Sequence, residues 1–118
     1  MAARSKYGNE RMVVDNIRFA SKAEAAHYAE LTLLERAGVI SGLTCQPRYQ
    51  IADGFREADG RWHRALVYVA DFRHLDVATG KEVVTDIKGH VTEGFRIKRH
   101  LFLLRYPQID FRVIPAKS

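Results

Sequence analysis

Apolar and polar positions follow two different periods along the chain, and the changes of period mark its elements. Met12-Val13-Val14 and Ile17-Arg18-Phe19 flank Asp15-Asn16, which predicts a short hairpin, because Asp and Asn tolerate the positive φ of a two-residue turn. Ser21 followed by Glu24 forms a capping box and opens a helix that ends near Ala37-Gly38. Its stripe of Glu24, Tyr28, Leu31 and Leu34 spans roughly 120 degrees at 3.6 residues per turn. Glu24 therefore lies on the face that meets the sheet, and Glu30 points to solvent. Val39 to Leu43 reads as a connector, and Gln46-Pro47-Arg48-Tyr49-Gln50-Ile51 as the first strand of the main sheet, with Pro47 at its edge or start. Asp53 to Gly60 is a polar loop. Ala65 to Leu75 is apolar enough for a central second strand, Asp76 to Lys81 turns, and Glu82 to Lys88 alternates as the third. A second helix runs from an N-cap at Thr92 to about Arg105 with Ile97, Leu101 and Leu104 as its core stripe. Pro107 ends it, and Ile109 to Ile114 alternates as a last strand.

This is an α/β pattern: a hairpin, then helix, strand, strand, strand, helix, strand around a mixed central sheet. Residues 12–118 are read as one domain behind a basic arm, residues 1–11, that carries Arg4, Lys6 and Arg11. The 118 residues leave room for a modest core. No apolar run approaches a membrane span and no signal-peptide core follows the start, so the sequence reads as cytoplasmic. One cysteine, Cys45, excludes an internal disulfide and a multi-cysteine zinc site. The net charge of +5 favours a polyanionic partner such as DNA.

Within this basic chain the acids cluster. On an extended strand Val84, Asp86 and Lys88 share one face, which leaves a carboxylate and an ammonium at the end of an otherwise apolar strand. If the chain turns at Thr79-Gly80, the strand through Tyr68-Val69-Ala70-Asp71-Phe72 runs back beside it, and two acids converge with a lysine. Asp and Lys two apart are ordinarily a solvated ion pair of little energetic value. Convergence changes that reading, because hard carboxylate oxygens suit magnesium, and a lysine beside them can orient a water and offset charge on a phosphoryl group.

Asp71 followed by Asp86-Ile87-Lys88 on the next strand resembles the PD-(D/E)xK nuclease superfamily, with Ala70 where a proline usually precedes the first acid. From Phe19-Ala20-Ser21-Lys22-Ala23-Glu24 through Gln46-Pro47 to Gly89, Thr92 and Lys98, the chain is similar to small phage-encoded nucleases of that superfamily, Holliday junction resolvases among them. The resemblance implies a restriction-endonuclease-like core and a magnesium site, with manganese able to substitute, served by Glu24, Asp71, Asp86 and the Ile87 backbone carbonyl. It implies that Lys88 positions the attacking water and that Lys98 touches the scissile phosphate. Asp86 stands where the family commonly has Glu. The second helix adds Arg96, Arg99 and Arg105 as candidate phosphate contacts, and Gln46 as a candidate contact at a strand end. Without the strand acids, helix capping would explain Glu24 fully. His27 reads as a packed residue rather than a ligand, and Trp62 as a loop anchor ahead of a base-stacking platform.

The expected function is magnesium-dependent endonucleolytic hydrolysis of DNA, with branched DNA as the leading substrate and no small-molecule cofactor. Two symmetric cuts at a junction require two sites, so a homodimer is expected on functional grounds. An HNH site fits worse, because it needs asparagine beside histidines and Asn9 and Asn16 both precede the core. There is no Gly-Ile-Tyr element, and the chain is short for a ribonuclease H-like resolvase. The alternatives are a non-catalytic DNA-binding module on a nuclease fold and a restriction- or mismatch-type duplex endonuclease.

Overall fold

The structure is a computed structural model that describes residues 12–116; the basic arm lies outside those residues. The chain opens with β1 (Met12–Val14) and β2 (Ile17–Phe19), paired antiparallel. Asp15 and Asn16 take φ of 52° and 64°, the two positive values that a tight hairpin of this hand requires. Ser21 caps α1 (Lys22–Arg36), its Oγ accepting from the Glu24 N–H at 3.2 Å. Gly38, at φ 77°, lets the chain leave the helix.

Next come β3 (Ile40–Cys45), β4 (Arg48–Ala52), the two-residue β5 (Phe55–Arg56) and β6 (Trp62–His63), β7 (Leu66–Val69), β8 (Phe72–Asp76) and β9 (Glu82–Lys88). Helix α2 (Glu93–Arg105), capped by Thr92, then leads to β10 (Asp110–Pro115). The main sheet is four-stranded and mixed, in the order β10-β9-β8-β3: β10 runs parallel to β9, and the other pairs are antiparallel. Around this sheet the chain order is α1, β3, β8, β9, α2, β10. That is the expected alternation, with a different strand in first place.

Three assignments made from sequence are corrected. The connector at Val39–Leu43 is largely strand β3, the antiparallel edge partner of β8. Its pattern is masked because one face of an edge strand is wet and Gly42 interrupts it with a positive φ of 64°. The segment from Gln46 is not in the main sheet: β4 pairs with β7 in a ribbon of its own. The long strand Ala65–Leu75 is in fact two, since β7 belongs to the ribbon and β8 to the sheet. Both breaks occur at one level. Gln46 adopts φ 51°, its N–H donates to the Asp71 carbonyl at 2.9 Å, and the Ala70 N–H donates to the Pro47 carbonyl at 3.1 Å. Two strands thus bend together, and residues 47–70 leave the sheet as an arm.

The alternation in β9 distributes the core. Ile87 packs toward a cluster formed by Phe19, Ala25, Tyr28, Leu31, Ile40 and Phe72 on the α1 side. Val84 belongs to a second cluster with Phe95, Phe102 and Phe111, completed by Ile51 and Tyr68 of the bent ribbon. Arg105 holds Asp53 at 2.9 Å and the Tyr106 hydroxyl donates to the Gln50 carbonyl at 2.9 Å, tying the ribbon to the end of α2.

Helix α1 buries Tyr28 and Leu31 of the expected stripe, whereas α2 turns a largely different stripe inward than periodicity suggested. In α1 Leu34 is exposed while Ala25 is buried. In α2 Ile97 is 54% and Leu104 73% exposed, and Phe95 and Phe102 are buried instead. The aromatic positions win because the facing surface supplies rings: Phe102 lies 5.0 Å from Phe111 and 4.9 Å from Tyr49, edge to face in both cases. Such pairs add to the area they bury. Among the described residues no helix is long and apolar enough to cross a membrane.

Phe102 is fully buried at the centre of the α2-side cluster. Phe102→Ala is expected to cost about 3–5 kcal/mol in urea denaturation, whereas Leu104→Ala changes stability by less than about 0.5 kcal/mol. The reverse ranking would restore the stripe read from sequence.

Candidate metal centre

Asp71 and Asp86 meet where the β8–β9 ladder ends, because the last paired residues there are Phe72 and Thr85. One step further the two aspartates take over the backbone donors. The Asp71 N–H donates to Asp86 Oδ1 at 3.0 Å, and the Ile87 N–H donates to Asp71 Oδ2 at 2.7 Å. This exchange bridges the point at which the chain bends out of the sheet, and it fixes one oxygen of each carboxylate. The other oxygen of Asp86, Oδ2, is buried and makes no hydrogen bond. Lys88 Nζ lies 3.8 Å from it and also stands 4.6 Å over the Phe95 ring.

Asp86 is 2% exposed, and burial pushes its pKa up to about 6, against the lowering effect of Lys88 and of the Asp71 N–H. Burial likewise raises Asp71, opposed by its bond from Ile87 and by the charges of Lys88 and His27. Glu24 is raised by burial and by the neighbouring charges of Asp71 and Asp86, while its bond with Ser21 and the Lys88 charge pull the other way. Glu24 is therefore within electrostatic range of both strand acids and of the lysine. Its carboxylate also accepts from the Ser21 hydroxyl at 3.4 Å, so the capping interaction and the approach to the acids coexist.

The donor set suits a hard divalent cation. Burial raises all three carboxylates, repulsion by Asp71 and Asp86 adds to it at Glu24, and a buried carboxylate oxygen without a hydrogen bond is a ligand not yet used. The arrangement is open rather than closed. Among the described residues no three His, Cys, Asp or Glu side chains are already grouped to hold a metal ion. Asp71 and Asp86 are the pair in place, and Glu24 would have to turn from Ser21 to join them.

The other residues singled out from sequence divide. Gln46 is exposed at the bend, its backbone bonded to Asp71, so it borders the acids. Arg96 and Lys98 are exposed on α2. Arg105 is committed to Asp53, and Arg99 is half-buried, its guanidinium 5.4 Å from the Phe111 ring and its Nε without a partner. These two are correspondingly poorer phosphate contacts than a solvated helix face would supply. His27 packs with its ring 5.6 Å from Phe72 and lies 3.7 Å from Glu30, as a packed histidine should. The reading from sequence missed the reciprocal backbone bonds of the aspartates and the bend itself. Pro47, which lacks an N–H, was the one local sign; that Ala70-Asp71 lies opposite it depends on the pairing itself.

A family model described as "Protein of unknown function (DUF1064)" matches residues 4–117. No curated protein matches the chain.

The raised pKa of Asp86 makes a signed prediction. Unfolded, the group titrates near 3.8 and folded near 6, so between these values the folded state holds the extra proton and stability falls as pH rises. His27 and His74, lowered by burial, push the other way, so the informative quantity is the difference between the unmutated protein and Asp86→Asn. Measured in EDTA by thermal unfolding, the variant should gain relative stability from pH 4 to 6, by at most about 1.4 kcal/mol per pH unit. A difference independent of pH would mean that Asp86 ionises normally.

Proposed function

The chain belongs to the DUF1064 family, and from its own residues we propose that it is a magnesium-dependent endonuclease that hydrolyses DNA phosphodiester bonds, branched DNA first among its substrates. The observation that carries the reading is the buried Oδ2 of Asp86, which makes no hydrogen bond and faces the Lys88 ammonium at 3.8 Å beside Asp71. A carboxylate oxygen desolvated without a hydrogen bond costs free energy that a bound cation recovers. The element order around the main sheet, the position of the acids at the end of its two middle strands, and the chain's net charge of +5 support the same restriction-endonuclease-like reading.

On this reading Asp71 and Asp86 hold magnesium, Glu24 contributes directly or through a water, and the Ile87 carbonyl offers a further oxygen. The cation, when bound, supplies a water of lowered pKa and polarises the phosphoryl group. Lys88 hydrogen-bonds and orients that water, and its ammonium offsets the charge gathering on the phosphoryl oxygens. The Phe95 ring beneath Lys88 restricts where the ammonium can go. Arg96 and Lys98 face the DNA backbone and fix its register without reading sequence. Two coordinated cuts in a four-way junction require a second copy, most simply related by a two-fold axis.

One observation favours a second reading, a DNA-binding module that does not cut. Each strand aspartate already serves a backbone N–H, and no closed group of three ligands is formed among the described residues. The two readings part in one experiment. Four-way junction, flap and linear duplex DNA are incubated with the protein in magnesium, in manganese and in EDTA. The nuclease reading expects cleavage with either metal and none in EDTA, with Asp71→Ala, Asp86→Ala and Lys88→Ala each slower by at least about 100-fold while still binding junctions. Binding by the unmutated protein without cutting in either metal would establish the module instead.

A further inference from the structure

We propose that the β5–β6 hairpin at the far end of the bent ribbon is a stacking platform for unpaired nucleobases, with Trp62 as its reading surface. The inference rests on the DNA reading above and narrows its substrate to DNA with unpaired or displaced bases.

The hairpin contributes nothing to either core cluster, yet it carries two large exposed rings: Phe55 is 56% and Trp62 54% exposed. Each ring faces its cross-strand partner, Phe55 opposite His63 and Trp62 opposite Arg56, and keeps about half of its surface open to solvent. They are nevertheless held in place. The indole of Trp62 lies across Gly54, where an added Cβ would come within 2.6 Å of the ring, so only glycine leaves room for it. The Arg56 guanidinium is 5.5 Å from the Trp62 ring and donates to the Gly60 carbonyl at 3.0 Å, which fixes it over the indole. Phe55 stacks on His63 at 4.8 Å, nearly parallel, and His63 is in turn bonded to Glu57.

The indole, half-exposed with the Arg56 guanidinium over it, offers an aromatic surface and a cation, and an unpaired nucleotide presents a flat base and a phosphate. The acids of the hairpin do not oppose this. Arg61 lies 3.4 Å from Asp59 and 3.8 Å from Glu57, and Asp53 is taken by Arg105. Arg56 and Arg64 make no ion pair among the described residues, so the Arg56 charge over the indole is not neutralised and Arg64 remains for phosphate. Because local charge is balanced, stacking supplies the preference and the basic face of α2 supplies the general attraction. Geometry gives the hairpin a place in the complex. Trp62 precedes Asp71 by nine residues of mostly extended chain, so at roughly 3.3 Å per residue it reaches at most about 30 Å from the acids. A base displaced near a branch point is within that span of a cut in the adjoining arm.

Trp62 is the only tryptophan, so its emission reports directly on the hairpin. The test uses the full chain in EDTA, with a short oligothymidine, a flapped duplex and a blunt duplex, following tryptophan emission and fluorescence anisotropy of labelled DNA. The expected result is quenching that saturates with oligothymidine. Trp62→Ala should weaken binding of oligothymidine and flap by at least about five-fold, and more than that of blunt duplex. Gly54→Ala, which keeps the indole but unseats it, should reduce the same preference. The preference for unpaired DNA should also persist as salt is raised, although every affinity falls. Emission unmoved while anisotropy shows DNA bound, or an equal loss on all three substrates, overturns the platform. Quenching that depends on protein concentration without DNA would make the hairpin a self-association surface and overturn it too. Quenching by oligothymidine in a protein that cuts nothing in magnesium would sink the nuclease reading alone; cutting without quenching would sink only this one.

Discussion

Two aspartates exchanging backbone hydrogen bonds across a broken ladder are the constraint on which this structure turns. A sheet strand that bends out of register leaves N–H groups without partners, and a buried unpaired donor costs on the order of 1–3 kcal/mol. Asp71 and Asp86 meet that demand reciprocally, each with one oxygen. The same geometry leaves the other oxygen of Asp86 buried without a hydrogen bond, 3.8 Å from the Lys88 ammonium. Structural need and chemical potential are thus met by different oxygens of the same side chain.

The bend also explains the layering. Had β4 and β7 continued in the sheet, α2 would cover that face alone; folded over, the ribbon brings Ile51, Tyr68 and Tyr49 against Phe102 and Tyr106. The α2 side consequently has an aromatic core and the α1 side a mixed one. Lys88 benefits, because Phe95 at the start of α2 is anchored by the same rings.

Local signals in the sequence were sufficient wherever the structure is local. The Asp15-Asn16 turn, the caps at Ser21 and Thr92 and the alternation of β9 each depend on residues within a few positions, and all were legible. The convergence of Asp71 with Asp86 needed only one antiparallel pairing beyond that. What could not be read depends on partners distant in sequence. The facing stripe of α2 is ambiguous, since 95, 99, 102 and 97, 101, 104 have equal helical spacing, and the choice is made by rings on β4, β7 and β10. The edge strand β3 and the split of Ala65–Leu75 are decided by where the ladder breaks, which a strand's own pattern does not encode. Arg105 read as a phosphate contact because Asp53, its partner, is 52 residues away.

The pairing of β10 with β9 has a consequence for how the molecule comes into being. Phe111 completes the aromatic cluster from the strand that follows α2, and the parallel register from Asp110–Val83 to Pro115–Lys88 cannot form until that strand exists. On the ribosome, the α1 half could gather its hydrophobic residues early, whereas α2 would wait, its rings wet, for its last companion to emerge. Assembly of the end of the sheet that carries Asp71 and Asp86 is therefore timed by the emergence of β10, and the lysine beside Asp86 gains its fixed footing only then.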